Sequence, residues 1–153
     1  MAVTYWRDDC KTHHRQIDAD HRDLFNILAQ LHRSILLEPD GAEVEAILDH
    51  LFNAAIAHCE AEEALMEIYA YPNASAHTEQ HEALLAKILR LRLGGHPPEA
   101  TLSIDLTHDL AQWLSHHIWA YDLELVQFVQ NQQQPNRCLD QSVGLPHSEL
   151  CLD

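Results

Sequence analysis

Thirteen of the 153 residues are histidines, and several stand with carboxylates at spacings that suit metal binding. His58 and Glu62 are four apart, as are His77 and His81. On an α-helix such pairs share a face, about 40° apart around the axis and ~6 Å along it. His21 stands alone upstream, while His117 and Asp122 are five apart, an offset that turns two side chains about 140° from each other on an ideal helix. That pair predicts either side chains wrapping round from opposite flanks or a local widening into a π turn, which tends to occur at functional sites. Imidazole nitrogens mixed with carboxylate oxygens form a donor set for first-row transition metals.

The elements that must position these residues follow from apolar periodicity. Leu24, Phe25, Leu28, Leu31, Ile35 and Leu36 recur at three-to-four spacing between His21 and Glu38, predicting a first amphipathic helix started by Asp18 or Asp20. Pro39-Asp40-Gly41 breaks it. A second run from Val44 through Leu51, Ala55 and Met66 to Ile68 lasts until Tyr71-Pro72-Asn73, about 28 residues or ~42 Å of helix. A third run around Leu84, Leu85, Ile88 and Leu91 ends at Gly94-Gly95-His96-Pro97-Pro98, and a fourth, from Leu102 through Trp113 and Ile118 to Phe128, fades near Asn131. Short connections force neighbouring helices antiparallel, so the expected fold is all-α: an up-down-up-down four-helix bundle over residues 1–130, with an N-terminal arm carrying Trp6 and a linker-like C-terminal extension over 131–153.

Facing residues in an antiparallel helix pair are placed symmetrically about the turn between them, so their numbers should average to the turn. His21 and His58 average to 39.5, at Pro39-Asp40; His58 with His81, and Glu62 with His77, average to 69.5, just before Tyr71-Pro72. His81 with His117 averages to 99, and His77 with Asp122 to 99.5, directly after Pro97-Pro98. The seven residues are thus expected at one level of the bundle. Burying five imidazoles and two carboxylates there would cost several kcal/mol per ion without a counterion, an objection that bound cations remove. His32 and His50 average to 41 and are expected to face each other near the first turn. A lone helical histidine is more often a surface or hydrogen-bonded residue, the interpretation taken for His13, His14, His96, His108, His116 and His147.

Nine Lys and Arg against 24 Asp and Glu give a net charge of −15, the wrong sign for nucleic acid or an anionic membrane surface. No apolar run approaches the roughly 20 residues that span a bilayer, and MAVTYWRDDC lacks the basic and apolar regions of a signal peptide, so a cytoplasmic location is expected. Cys10, Cys59, Cys138 and Cys151 form neither C-x-x-C nor C-x-x-C-H and fit a reducing compartment.

Four pieces in order resemble the hemerythrin family, specifically its single-domain bacterial branch: I17-D18-A19-D20-H21, H58-C59-E60-A61-E62-E63-A64-L65-M66, Y71-P72 followed by His77 and His81, and W113-L114-S115-H116-H117-I118 with Asp122. The resemblance implies two non-haem irons, one taking His77, His81 and His117, the other His21 and His58, bridged by Glu62, Asp122 and an oxide or hydroxide. It implies reversible O2 binding at the open position of the second iron, by a carrier or store, or by an oxygen or redox sensor whose extension leads to an output domain such as a diguanylate cyclase or chemoreceptor. The alternative is a di-iron enzyme reducing peroxide, nitric oxide or O2. A homodimer is compatible with either.

The same resemblance implies an O2 pocket lined by Trp113, Leu114, Ile118 and an aromatic residue after the second-helix histidine, where this chain has Cys59. A thiol is smaller than a phenyl ring, so the expectation is a roomier pocket and faster autoxidation. Cys59→Phe is expected to slow the decay of the oxygenated form followed by visible absorption; unchanged or faster decay counts against a pocket role for Cys59.

Overall fold

The computed structural model describes residues 6–37, 41–93 and 104–134. After a single 3-10 turn at Asp8–Cys10 come α1 (Arg15–Leu36), α2 (Gly41–Ile68), α3 (Ala74–Leu93) and α4 (Ile104–His117), then a π turn (Ile118–Asp122) and α5 (Leu123–Gln133). His117 and Leu123, which flank the π turn, keep helical backbone angles, so α4 and α5 form one rod. α1 packs against α2 and α4, and α2 against α3, giving the four-rod antiparallel bundle that the short connections predict. The expected breaks at Pro39-Asp40 and Gly94–Pro98 lie outside the described residues, as do residues 135–153 of the extension. No described helix is long and apolar enough to cross a membrane.

α1 begins at Arg15, earlier than the expected start at Asp18 or Asp20. Its cap is His14, whose Nδ1 accepts from the Ile17 amide at 3.3 Å. Asp18 has a different task. Its Oδ1 accepts from both the amide and the hydroxyl of Thr12, each at 2.8 Å, and its Oδ2 from the His13 amide at 3.1 Å. His13 has φ of 66° there, a left-handed conformation that histidine tolerates better than most residues. These bonds tie the N-terminal arm to the bundle, with Cys10 buried and Trp6 edge-on to Phe25 at 6.0 Å, under the Arg22 guanidinium.

α2 matches the 28 residues expected and ends in a Schellman turn. The Tyr71 amide bonds to Met66 O at 2.9 Å and the Ala70 amide to Glu67 O at 3.2 Å, with Ala70 at φ 49° in the position usually given to glycine. The turn carries Tyr71 into contact with Met66, Leu125 and Val129, a small apolar cluster at this end of the bundle. The main core lies at the other end, where Leu24, Leu28 and Leu31 of α1, Leu48 and Leu51 of α2, Leu84 and Ile88 of α3, and Leu110 and Leu114 of α4 interdigitate. One expectation fails near that end. His50 is exposed, whereas buried His32 bonds Thr107 Oγ1 at 3.0 Å and meets the His108 ring edge-on, both contacts lying on α4.

Asp18→Ala removes three hydrogen bonds to a buried carboxylate and is expected to cost about 3 kcal/mol. In metal-free protein this should lower the thermal midpoint by roughly 10 °C and speed alkylation of Cys10, resolved by mass spectrometry; unchanged Cys10 labelling would show that the arm is held without Asp18.

Candidate metal centre

All seven predicted residues meet in one layer between the two apolar clusters, each no more than 1% exposed. α1 supplies His21, α2 His58 and Glu62, α3 His77 and His81, and the fourth rod His117 and Asp122. Of the two solutions for the five-residue spacing, the chain adopts the π turn. The Leu123 amide bonds to Ile118 O, five residues back, and this wider turn brings Asp122 into phase with His117. Asp122 Oδ1 consequently lies 2.9 Å from His117 Nε2.

Asp122 sorts the histidines. Its Oδ2 faces His21 Nε2 at 2.9 Å and His58 Nε2 at 4.0 Å, while its Oδ1 lies 2.9 Å from both His77 Nε2 and His117 Nε2. Glu62 Oε2 reaches His77 and His81 at 3.1 Å and His58 at 3.7 Å. Ligand atoms of His58, Glu62, His81, His117 and Asp122 all fall within 4.8 Å of one another.

Several of these contacts have the length of a hydrogen bond but not its angle. His58 Nε2, His77 Nε2, His117 Nε2, Glu62 Oε1 and Asp122 Oδ1 have no hydrogen-bond partner. Among the described residues, the one buried side-chain polar atom left unpaired outside this layer is Ser34 Oγ. Nitrogen and oxygen atoms that converge in a dry layer and are left unpaired by hydrogen bonding are what a cation relieves. The residues therefore fit a metal centre.

Electrostatics point the same way. Burial depresses His77 and His81, but nearby groups outweigh it. Asp122 and Glu62 push His77 up to about 9; Cys59, Glu62 and Glu63 push His81 up to about 10. His58, dominated by burial, is lowered. Burial and mutual repulsion raise Glu62 and burial raises Asp122, yet the surrounding imidazoles overcome both and hold the carboxyls below their usual range. In the absence of metal, the protons held on His77 and His81 offset the charge of the two carboxylates.

The predicted pocket residues divide. Leu114 and Ile118 are buried in the main core, and Leu114 lines a narrow apolar hollow with Leu24, Leu28, Leu51, Leu84, Ile88 and Leu110. Trp113 is partly buried and stacks on His117, with centroids 5.1 Å apart and planes within 9°. Cys59 is buried, which pushes its thiol above the ordinary value despite the opposing influence of His81. Three other participants escape the sequence patterns used. Tyr121 stacks on the opposite side of the sequence from Trp113 against His117, at 5.4 Å and 16°, four residues on. Leu24 follows His21 by three positions on the same helix face, and Glu63 bonds His81 Nδ1 at 2.9 Å. Their signals were the spacing from a ligand and the Glu62-Glu63 doublet.

Raised histidines stabilise the metal-free fold fully below pH ~6.5, and that contribution is lost as pH rises through about 9 for His77 and about 10 for His81. Lowered carboxyls act oppositely, contributing above their ordinary values of 4.5 and 3.8 and failing as acid protonates them. Metal-free protein should thus lose thermal stability between pH 7 and pH 10, and saturating divalent metal at pH 7.5 should expel the protons held on His77 and His81, read with an indicator dye. Metal uptake without proton release would refute this charge balance.

A family model, Hemerythrin HHE cation binding domain, matches residues 12–129. The bacteriohemerythrin of Stenotrophomonas maltophilia is 31% identical over 118 residues, 77% of this chain and 76% of that one, and the Pseudomonas aeruginosa bacteriohemerythrin is 27% identical over the same shares. Crystal structures of two hemerythrin variants, with a leucine replaced by tyrosine or alanine, superpose with TM-scores of 0.74 at 25% identity, covering 84% of this chain and 98% of theirs. Matching sequence over most of the length, the same bundle, and a buried His/Glu/Asp layer able to hold metal place the chain in the hemerythrin family.

Proposed function

We propose that the layer holds two non-haem irons and that the protein binds O2 reversibly, as an oxygen-sensing or oxygen-carrying module. When bound, the iron pair supplies the two electrons and the open coordination position that O2 binding requires. The observation that carries this reading is the division of the histidines by Asp122. Its Oδ1 serves the side of His77 and His117, and its Oδ2 the side of His21 and His58. His81 joins the first group through Glu62 Oε2, which lies 3.1 Å from both His81 and His77 and farther, at 3.7 Å, from His58. With three imidazoles on one side and two on the other, the five histidines together with Glu62 and Asp122 would hold the iron pair, and the side with fewer protein ligands would supply the position at which O2 binds.

The remaining work belongs to the chain. Leu24, Leu114 and Ile118, each at most 2% exposed, belong to the apolar cluster at one end of the layer and keep water from it. No acid or base is required of the protein. An imidazole-rich shell also carries less negative charge than carboxylate-rich di-iron sites, which favours holding O2 over building high-valent iron. For sensing, Asp122 closes the π turn that continues into α5 (Leu123–Gln133), and we assign residues 131–153 as a linker to an output domain.

The test is direct. Protein loaded anaerobically with Fe2+ should contain two irons per chain, and O2 should raise a visible absorption band that disappears on degassing over repeated cycles. Immediate conversion to ferric protein without a reversible band would instead indicate a di-iron enzyme turning over O2, peroxide or nitric oxide. Uptake of zinc or manganese alone would indicate a structural site. His58→Ala should lower iron content below two per chain and abolish the band.

A further inference from the structure

His81 differs from its four companions. Its Nε2 faces Glu62 Oε2 inside the layer at 3.1 Å, while its Nδ1 lies 2.9 Å from Glu63 Oε1 on the outside. The Nδ1 atoms of His21, His58, His77 and His117 are buried and have no hydrogen-bond partner. A neutral imidazole has one N–H. With a carboxylate on each nitrogen, metal entry displaces the Nε2 proton while the Nδ1 proton stays with Glu63, so the remaining tautomer is the one that directs the Nε2 lone pair into the layer.

The arrangement comes from adjacency on α2. Consecutive helical residues point about 100° apart, so Glu62 enters the layer while Glu63 passes round the flank of α2 toward α3. There its side chain is 41% exposed, against 0% for Glu62. One helical turn thus presents one carboxylate to each nitrogen of the same ring.

We infer that Glu63 is a positioning residue for the metal centre: it fixes the rotation and tautomer of His81 and places a negative charge on its outer nitrogen, making His81 the strongest imidazole donor of the five. The inference rests on the two-iron reading above. A stronger donor tightens the metal on the three-histidine side and favours its ferric state, so the effect should appear in metal affinity and in potential.

The experiment titrates metal-free protein anaerobically with Fe2+ against a chromophoric chelator and measures the midpoint potential of the loaded form. Glu63→Ala should bind one of its two irons roughly 10- to 100-fold more weakly than the parent, with unchanged helix content. Glu63→Gln keeps an oxygen acceptor but loses the charge, so most of the affinity should return while the midpoint potential rises. Glu60→Gln, exposed on the same helix, should match the parent in both measurements. Parental affinity in Glu63→Ala, a parental potential in Glu63→Gln, or an equal loss in Glu60→Gln would overturn the inference and leave the two-iron centre standing. A parent that takes up no iron would overturn the reading beneath it.

Discussion

The bundle is organised around a burial that hydrocarbon packing alone would forbid. Glu62 and Asp122 are fully enclosed, among five imidazoles with almost no access to water. An isolated carboxylate in such surroundings costs several kcal/mol, comparable to the whole margin by which a domain this size is stable. The layer is tolerable only if positive charge accompanies the carboxylates inward. Every rod contributes to it, and each helix must therefore hold one register, because a shift of one residue would rotate a ligand out of the layer.

Two features of the packing enforce that register. The layer is bracketed by apolar clusters, the larger around Leu28, Leu48 and Ile88 and the smaller around Met66, Tyr71 and Val129, which exclude water from both ends. The π turn then lets one rod serve two demands. Through α4 it keeps Leu110 and Leu114 on the core face, and through α5 it keeps Leu125 and Val129 on theirs, while inserting the extra residue that swings Asp122 beside His117. In a regular α-helix these demands conflict by about 140°.

Much of this was readable from residue spacing, because antiparallel rods with short turns convert numbers into heights. The pairs His21 with His58, His58 with His81, and His81 with His117 are symmetrical about their turns, and the structure brings all of them together. Local choices were less accessible. Periodicity could state that His117 and Asp122 were out of phase, not which of two distortions would reconcile them. Asp18 looked like a helix start because Asp commonly caps, whereas the cap is His14 and Asp18 anchors the arm behind it. His32 and His50 satisfied the symmetry rule and still did not meet, since height does not specify azimuth: His50 faces outward on α2.

The protonation pattern explains how such a site can form before metal is present. His77 and His81, held up to about 9 and about 10, carry protons at neutral pH, while Glu62 and Asp122 stay ionised. Positive charge on His77 and His81 offsets the carboxylates inside the layer, so the chain can fold with its ligands already gathered. Metal entry then exchanges protons for cations instead of creating the site from a disordered chain. That exchange carries a structural consequence. Protons hold the carboxylates through hydrogen bonds with narrow angular demands, and several nitrogen–oxygen pairs here violate those demands. A cation imposes different directions on the same atoms. The geometry of the protein is thus a compromise closer to coordination than to hydrogen bonding, which is why the protonated layer leaves unpaired atoms that a metal pair would satisfy.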